Sequence, residues 1–197
     1  MTIIARDLRA SLAATVREYQ EHGNIGELLH QLDQLAADAT PDALAIAVEP
    51  YREIPEVAGP IYERIVELEP NNARALVILA NAYWLSGRGP EQVAELASRA
   101  IAADGSNRGA WHLWALSESQ PRERMTRWKQ VATRFPEDLL ALANYADNAA
   151  SVAGAESDPD ALLEAIRAYE TLLERTADDE QRRAVENALL ALRTWDL

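Results

Sequence analysis

The sequence predicts an all-α protein built from successive helix–turn–helix pairs, and three observations carry that expectation. Apolar residues recur at helical spacing: Leu76, Leu79, Ala80 and Tyr83 fall at i, i+3, i+4 and i+7, which gathers them on one face. Glycine and proline interrupt the pattern at short intervals, as in Ser86-Gly87-Arg88-Gly89-Pro90. There Gly87 and Gly89 tolerate the positive φ that ends a helix, and Pro90 presets φ where its missing N–H has no intrahelical use. Finally, Pro70, Gly105 and Pro136 occupy a recurring slot, 35 and then 31 residues apart. Eight residues before each stand Tyr62, Ala97 and Trp128, and five before stand Ile65, Ala100 and Val131. Tyr169 and Leu172 continue the register if the last slot is Ala177.

Taken in order, Ile3 to Glu21 carries Ile4, Leu8, Leu12 and Val16 on one stripe and stops at Gly23. Ile25 to Ala39 follows, with Asn24 as N-cap and Leu28, Leu29, Leu32 and Leu35 aligned. Thr40-Pro41-Asp42 opens a helix that is expected to kink or end early at Pro50, because proline removes a backbone bond and clashes with the preceding turn. Its partner runs from Pro55 to Glu69 and contains Pro60, an awkward residue for a helix interior. The central pair is 73–85 and 91–103, the next 108–118 and 122–134, and the next begins with 139–152. Ala153 to Pro159 reads as a small, acidic, mobile surface loop before a helix to Arg175. Asp178 to Arg193 is the closing helix, with acidic residues suited to its N-terminal dipole.

Composition limits the functions available. The 197 residues are 48% hydrophobic but only 6% aromatic and rich in alanine, which suits closely packed helices better than strands. With no cysteine there is neither disulfide nor thiolate chemistry. The first twenty residues mix charges into their apolar positions, unlike a signal peptide, and no run approaches the roughly 18 apolar residues of a membrane span. A cytoplasmic protein without membrane association is therefore expected. The net charge of −13 opposes a nucleic-acid partner. It is distributed as −8 over residues 1–72, +4 over 73–136 and −9 over 137–197, so a mildly basic centre lies between acidic flanks.

Leu79-Ala80, Tyr83, Gly87, Val93 and Ala100-Ile101, with Gly105 in the turn, resemble the consensus of the tetratricopeptide repeat family, whose units are helix–turn–helix pairs of about 34 residues. The resemblance implies a solenoid, coiled as a right-handed superhelix, of about 11 helices with terminal capping helices. The expected divisions of this single domain are an N-terminal pair over 1–39, units at 40–72, 73–107, 108–138 and 139–177, and a cap over 178–197. It also implies a concave groove lined by the first helix of each unit. Carried onto this chain, the groove residues are Arg74, Val77, Asn81 and Trp84, then His112, Leu116 and Ser119, then Ala143, Asn144 and Asp147. Lysines used by some members to clamp a terminal carboxylate are replaced here by Val77 and Leu140, so that mode is not expected.

No chemical motif competes with this reading. None of the three histidines, His22, His30 and His112, has a second histidine at the i+3 or i+4 spacing of a helical metal site, and zinc sites draw on three or four ligands. Gly87-Arg88-Gly89-Pro90 lacks the lysine and hydroxyl residue of a phosphate loop, and no serine sits in a Gly-x-Ser-x-Gly turn. The expectation is a non-enzymatic adaptor with no metal and no cofactor, binding a protein or peptide, with Arg74, Arg108 and the cations of 122–134 drawing an acidic segment. The alternative is a structural subunit of a homo- or hetero-oligomer, with the oligomeric state left open.

Overall fold

A computed structural model describes residues 5–196, in which eleven α-helices and no strand are found. They are α1 (Ala5–His22), α2 (Ile25–Ala36), α3 (Pro41–Val48), α4 (Pro55–Leu68), α5 (Ala73–Leu85), α6 (Pro90–Ala103), α7 (Arg108–Leu116), α8 (Pro121–Arg134), α9 (Leu139–Glu156), α10 (Pro159–Arg175) and α11 (Asp179–Leu192).

Helix starts draw on two devices, proline at the first helical position and a side-chain N-cap, and α3 and α10 use both. Second helices α4, α6, α8 and α10 open on Pro55, Pro90, Pro121 and Pro159, where the absent N–H would have had no partner. First helices α5, α7 and α9 open on side-chain caps without proline. Asn72 Oδ1 accepts from the Ala75 N–H at 3.0 Å, Asn107 Oδ1 from Ala110 at 3.2 Å, and Asp138 Oδ1 from Leu140 and Ala141 at 3.1 and 3.2 Å. Each of these caps lies two residues after Pro70, Gly105 or Pro136, so the recurring slot carries its own capping residue.

The register read from the sequence is the register of the core. Tyr62, Ala97, Trp128, Tyr169, Ile65, Ala100, Val131 and Leu172 are all buried. Each larger member of that set contributes roughly 1.5–3 kcal/mol of apolar transfer free energy, against which its ordering cost stands. Trp111 and Trp114 are only half-buried, whereas Trp128 is buried.

Prolines inside the pattern act differently from one another. Pro50 ends α3 early, and Glu49–Tyr51 form a 3-10 turn. Pro60 leaves α4 continuous, because Gly59 before it has no Cβ to meet the proline ring. The loop expected at 153–159 is a correction: α9 continues through Gly154 to Glu156. A Cβ on Gly154 would lie 3.2 Å from the Trp195 ring, so glycine here admits an aromatic side chain from beyond α11 and is not a stop. The stop is Ser157, held at φ 49°, after which Asp158 N donates to Ala153 O. Ile3 and Ile4 of the first expected stripe lie outside the described residues.

The chain divides into two compact units, Met1–Leu113 and Trp114–Leu197. In the first, α1 packs on α2 and α3, α2 on α4, α3 on α4, α4 on α5, and α5 on α6, so the first helix α1 neighbours the first helix α3 and the second helix α2 neighbours the second helix α4. Leu8, Leu12, Leu32, Leu44, Val57 and Ile61 are its deepest side chains. In the second unit α8, α9, α10 and α11 pack in sequence around Ala146, Ala149, Ala153 and Ala165, whose small size lets the axes approach closely. The short α7 ends there under two arginines of α8. Arg127 donates to the Trp114 carbonyl at 2.8 Å, covers the Trp114 ring and pairs with Glu118 at 2.6 Å, while Arg124 donates to the Glu118 carbonyl at 3.2 Å. These bonds satisfy C-terminal carbonyls that no glycine turn serves.

Candidate docking clefts

When first helices stand side by side with a second helix behind them, the residues facing the gap are those off the main apolar stripe. Clefts of this kind are present in each of the two units. The first, of about 430 Å³, lies between α3 and α5 over α4 and includes Pro41, Asp42, Ala45, Glu49, Tyr62, Ile65, Glu69 and Arg74. The second, of about 490 Å³, lies between α9 and α11 over α10 and includes Leu139, Leu140, Ala143, Asp147, Tyr169, Leu172, Thr176 and Gln181, with Ala184, Val185 and Ala188 on its far wall.

The two clefts use the same positions. Counted from the start of α3 and of α9, the first, second, fifth and ninth residues line the wall: Pro41, Asp42, Ala45 and Glu49 against Leu139, Leu140, Ala143 and Asp147. The floor is Tyr62 and Ile65 in one and Tyr169 and Leu172 in the other, the same eighth and fifth places before the slot. Four residues after the slot, Arg74 of the first cleft corresponds to Gln181 of the second.

At the ninth position both clefts hold a carboxylate beside the floor tyrosine. Glu49 has its two oxygens engaged by Arg52 at 3.2 Å and Arg74 at 3.3 Å. Burial pushes the Tyr62 phenol up, the Glu49 charge adds to the rise, and Arg74 and Arg52 oppose it. Asp147 instead accepts a hydrogen bond from the Tyr169 hydroxyl through Oδ1. Burial raises the Tyr169 phenol first, and this bond raises it further.

Several solved structures share the architecture. The crystal structure of MamA superposes with a TM-score of 0.61 at 18% identity, covering 85% of this chain and 95% of MamA. PilF from Pseudomonas aeruginosa gives 0.61 at 14% identity, covering 96% and 86%. TTC0263, a thermophilic TPR protein from Thermus thermophilus, gives 0.54 at 16% identity, covering 93% and 99%. The fold is that of the tetratricopeptide-repeat (TPR) proteins. No family model matches the sequence, and no curated protein matches it.

Within this TPR fold the expected groove residues fall into three groups. Arg74 lines the first cleft, and Ala143 and Asp147 line the second. Trp84 and Ser119 are exposed, and Val77, Asn81, His112 and Leu116 are half-buried, but none of these lines either cleft. Val77 packs towards Gly109. Asn144 donates to the Leu140 carbonyl one turn back at 2.8 Å, which commits its amide to its own helix. Sequence reasoning missed Glu49, Leu139, Gln181 and Ala184 as lining residues. It took Tyr62 and Tyr169 for core alone, although a hydroxyl at a recurring core slot signals an edge where polar partners are reachable.

The cations expected to draw an acidic segment are engaged internally. Arg122 pairs with Glu156 and Asp158, each at 2.6 Å, Lys129 with Glu164 at 2.9 Å, and Arg74 with Glu49. Arg122 first, then the backbone N–H of Ala161, hold the Asp158 carboxyl below its usual range. Among the described residues no helix is long and apolar enough to cross a membrane.

Proposed function

We propose that the protein is a non-enzymatic interaction scaffold whose inter-helix clefts dock a segment of a partner protein. The observation that supports this reading is recurrence: an open, partly apolar cleft at the same positions of two different repeats, each with a carboxylate and a tyrosine at its edge. A concavity between neighbouring helices suits recognition of a partner segment whose side chains enter it. The strongly negative charge favours a protein over a phosphate-bearing partner. Trp84, 40% exposed on α5, supplies a large aromatic surface for the same partner.

Affinity capture with the full chain, compared with Ala45→Arg and Ala143→Arg variants, tests the proposal. A partner that is lost when a cleft is filled, with helical circular dichroism unchanged, supports it. Capture undiminished by both variants overturns it.

A second reading, a structural subunit that self-associates through its last helix pair, draws on Leu163 of α10 and Leu190 of α11, which are 44% and 63% exposed. Light scattering decides it, since a monomer at all concentrations contradicts self-association.

A further inference from the structure

We infer that the second cleft takes a cationic segment of a partner protein, with an aliphatic side chain seated on the cleft floor and a lysine or arginine beside it meeting Asp147. The inference rests on the docking role proposed above and adds the chemistry of the occupant.

Charge complementarity carries it. The walls of this cleft are aliphatic, from Leu139, Leu140, Ala143, Ala184 and Val185, and Asp147 is the charged residue among its lining. Asp147 is exposed and its Oδ1 is held by Tyr169, but among the described residues no arginine or lysine pairs with it. In the first cleft the matching Glu49 is neutralised by Arg52 and Arg74. In the second the place of Arg74 is taken by Gln181, which carries no charge. The missing cation is the feature a ligand completes. The surroundings reinforce the sign: residues 137–197 carry a net −9, and of their arginines Arg175 and Arg193 are already paired with Glu137 and Glu170. An approaching anion is repelled by this field and an approaching cation steered into it. The aliphatic walls then reward an apolar side chain by removing its surface from water.

The experiment is fluorescence anisotropy on the full chain with an end-blocked, labelled peptide carrying two leucines flanked by lysines in a glycine–serine frame. Two counterparts replace the lysines with glutamates or the leucines with serines. The lysine–leucine peptide is expected to bind, and both counterparts to bind more weakly. Asp147→Asn keeps an acceptor for Tyr169 and is expected to weaken binding about fivefold, the effect of one partly exposed ion pair. Gln181→Arg, which restores the cation of the first cleft, is expected to weaken it at least as much. Glu186→Gln, an exposed charge on α11 away from the cleft, is expected to leave it unchanged. If the glutamate peptide binds as well as the lysine peptide and Ala184→Arg blocks both, docking stands and the charge assignment falls. If no peptide binds, the docking role of this cleft falls as well. Equal losses in Asp147→Asn and Glu186→Gln reduce the effect to a diffuse field and overturn the site.

Discussion

The two clefts share backbone positions and floor residues, yet they present opposite demands to a ligand. In the first, Glu49 is closed off by Arg52 and Arg74 and the rim is polar with Asp42, Glu69 and Asn72. In the second, Leu139 and Leu140 stand where the first has Pro41 and Asp42, and Asp147 has a phenol for company but, among the described residues, no cation. Residues on the apolar stripe are held in register by packing, so the fold repeats. Those one step off the stripe are not constrained by it, and two exchanges, Arg52 for Ala150 three residues after the carboxylate and Arg74 for Gln181 four residues after the slot, separate a satisfied carboxylate from one left to pair.

The largest expected effects come from the floors. Ile65→Ala is expected to cost about 3 kcal/mol and Leu172→Ala about 2 kcal/mol, read by urea denaturation, because Ile65 is 1% exposed and Leu172 6%, nearer the water that relieves a void. Equal losses would break that distinction. Next comes the tyrosine hydroxyl: Tyr169→Phe removes a bond to a carboxylate and is expected to cost about 1 kcal/mol, whereas Tyr62→Phe, whose hydroxyl makes no such bond to Glu49, is expected to be nearly neutral.

Alkaline titration sharpens the tyrosine contrast. Tyr83 donates to Glu63 at 2.8 Å, and burial, with that bond, pushes its phenol up to about 12 from 10.0. The native state then keeps a proton that the unfolded chain releases. The stabilisation is therefore complete below pH 10.0 and is lost as pH rises towards about 12. Tyr169 shifts in the same direction. In Tyr83→Phe the loss of stability across this window is expected to be shallower than in the parent, measured by denaturation at stepped pH. An identical slope would contradict the assignment. The smallest effect is at the rim: Arg74→Gln is expected to change stability by less than about 1 kcal/mol in urea denaturation, since the pair it breaks is exposed and Arg52 still holds Glu49.

Much of the fold was legible because helical period, turn chemistry and the recurring slot agree with one another. Tyr62, Ala97, Trp128 and Tyr169 share a sequence position and share a buried one. What escaped depends on partners distant in sequence. The small and acidic residues of 153–159 read as a loop, whereas α9 runs on to Glu156 and Gly154 there faces the Trp195 ring. The short α7 could be seen to end, but not that Arg127 and Arg124 of the next helix would cover its last carbonyls. The cations of 122–134 looked available in a linear reading, whereas Glu156, Asp158 and Glu164, more than thirty residues on, occupy Arg122 and Lys129. Of the candidate site, Arg74, Ala143 and Asp147 came from transferring groove positions. The facing walls did not, because they belong to the next repeat.

The central claim, that a gap between neighbouring first helices is where a partner segment lies, is tested most directly by amide chemical-shift mapping of the labelled protein with the lysine–leucine peptide. Saturable shifts concentrated at Ala143, Asp147, Ala184 and Ala188 are the predicted result. Saturable shifts confined to Thr171 and Glu174, on the exposed side of α10, would contradict it.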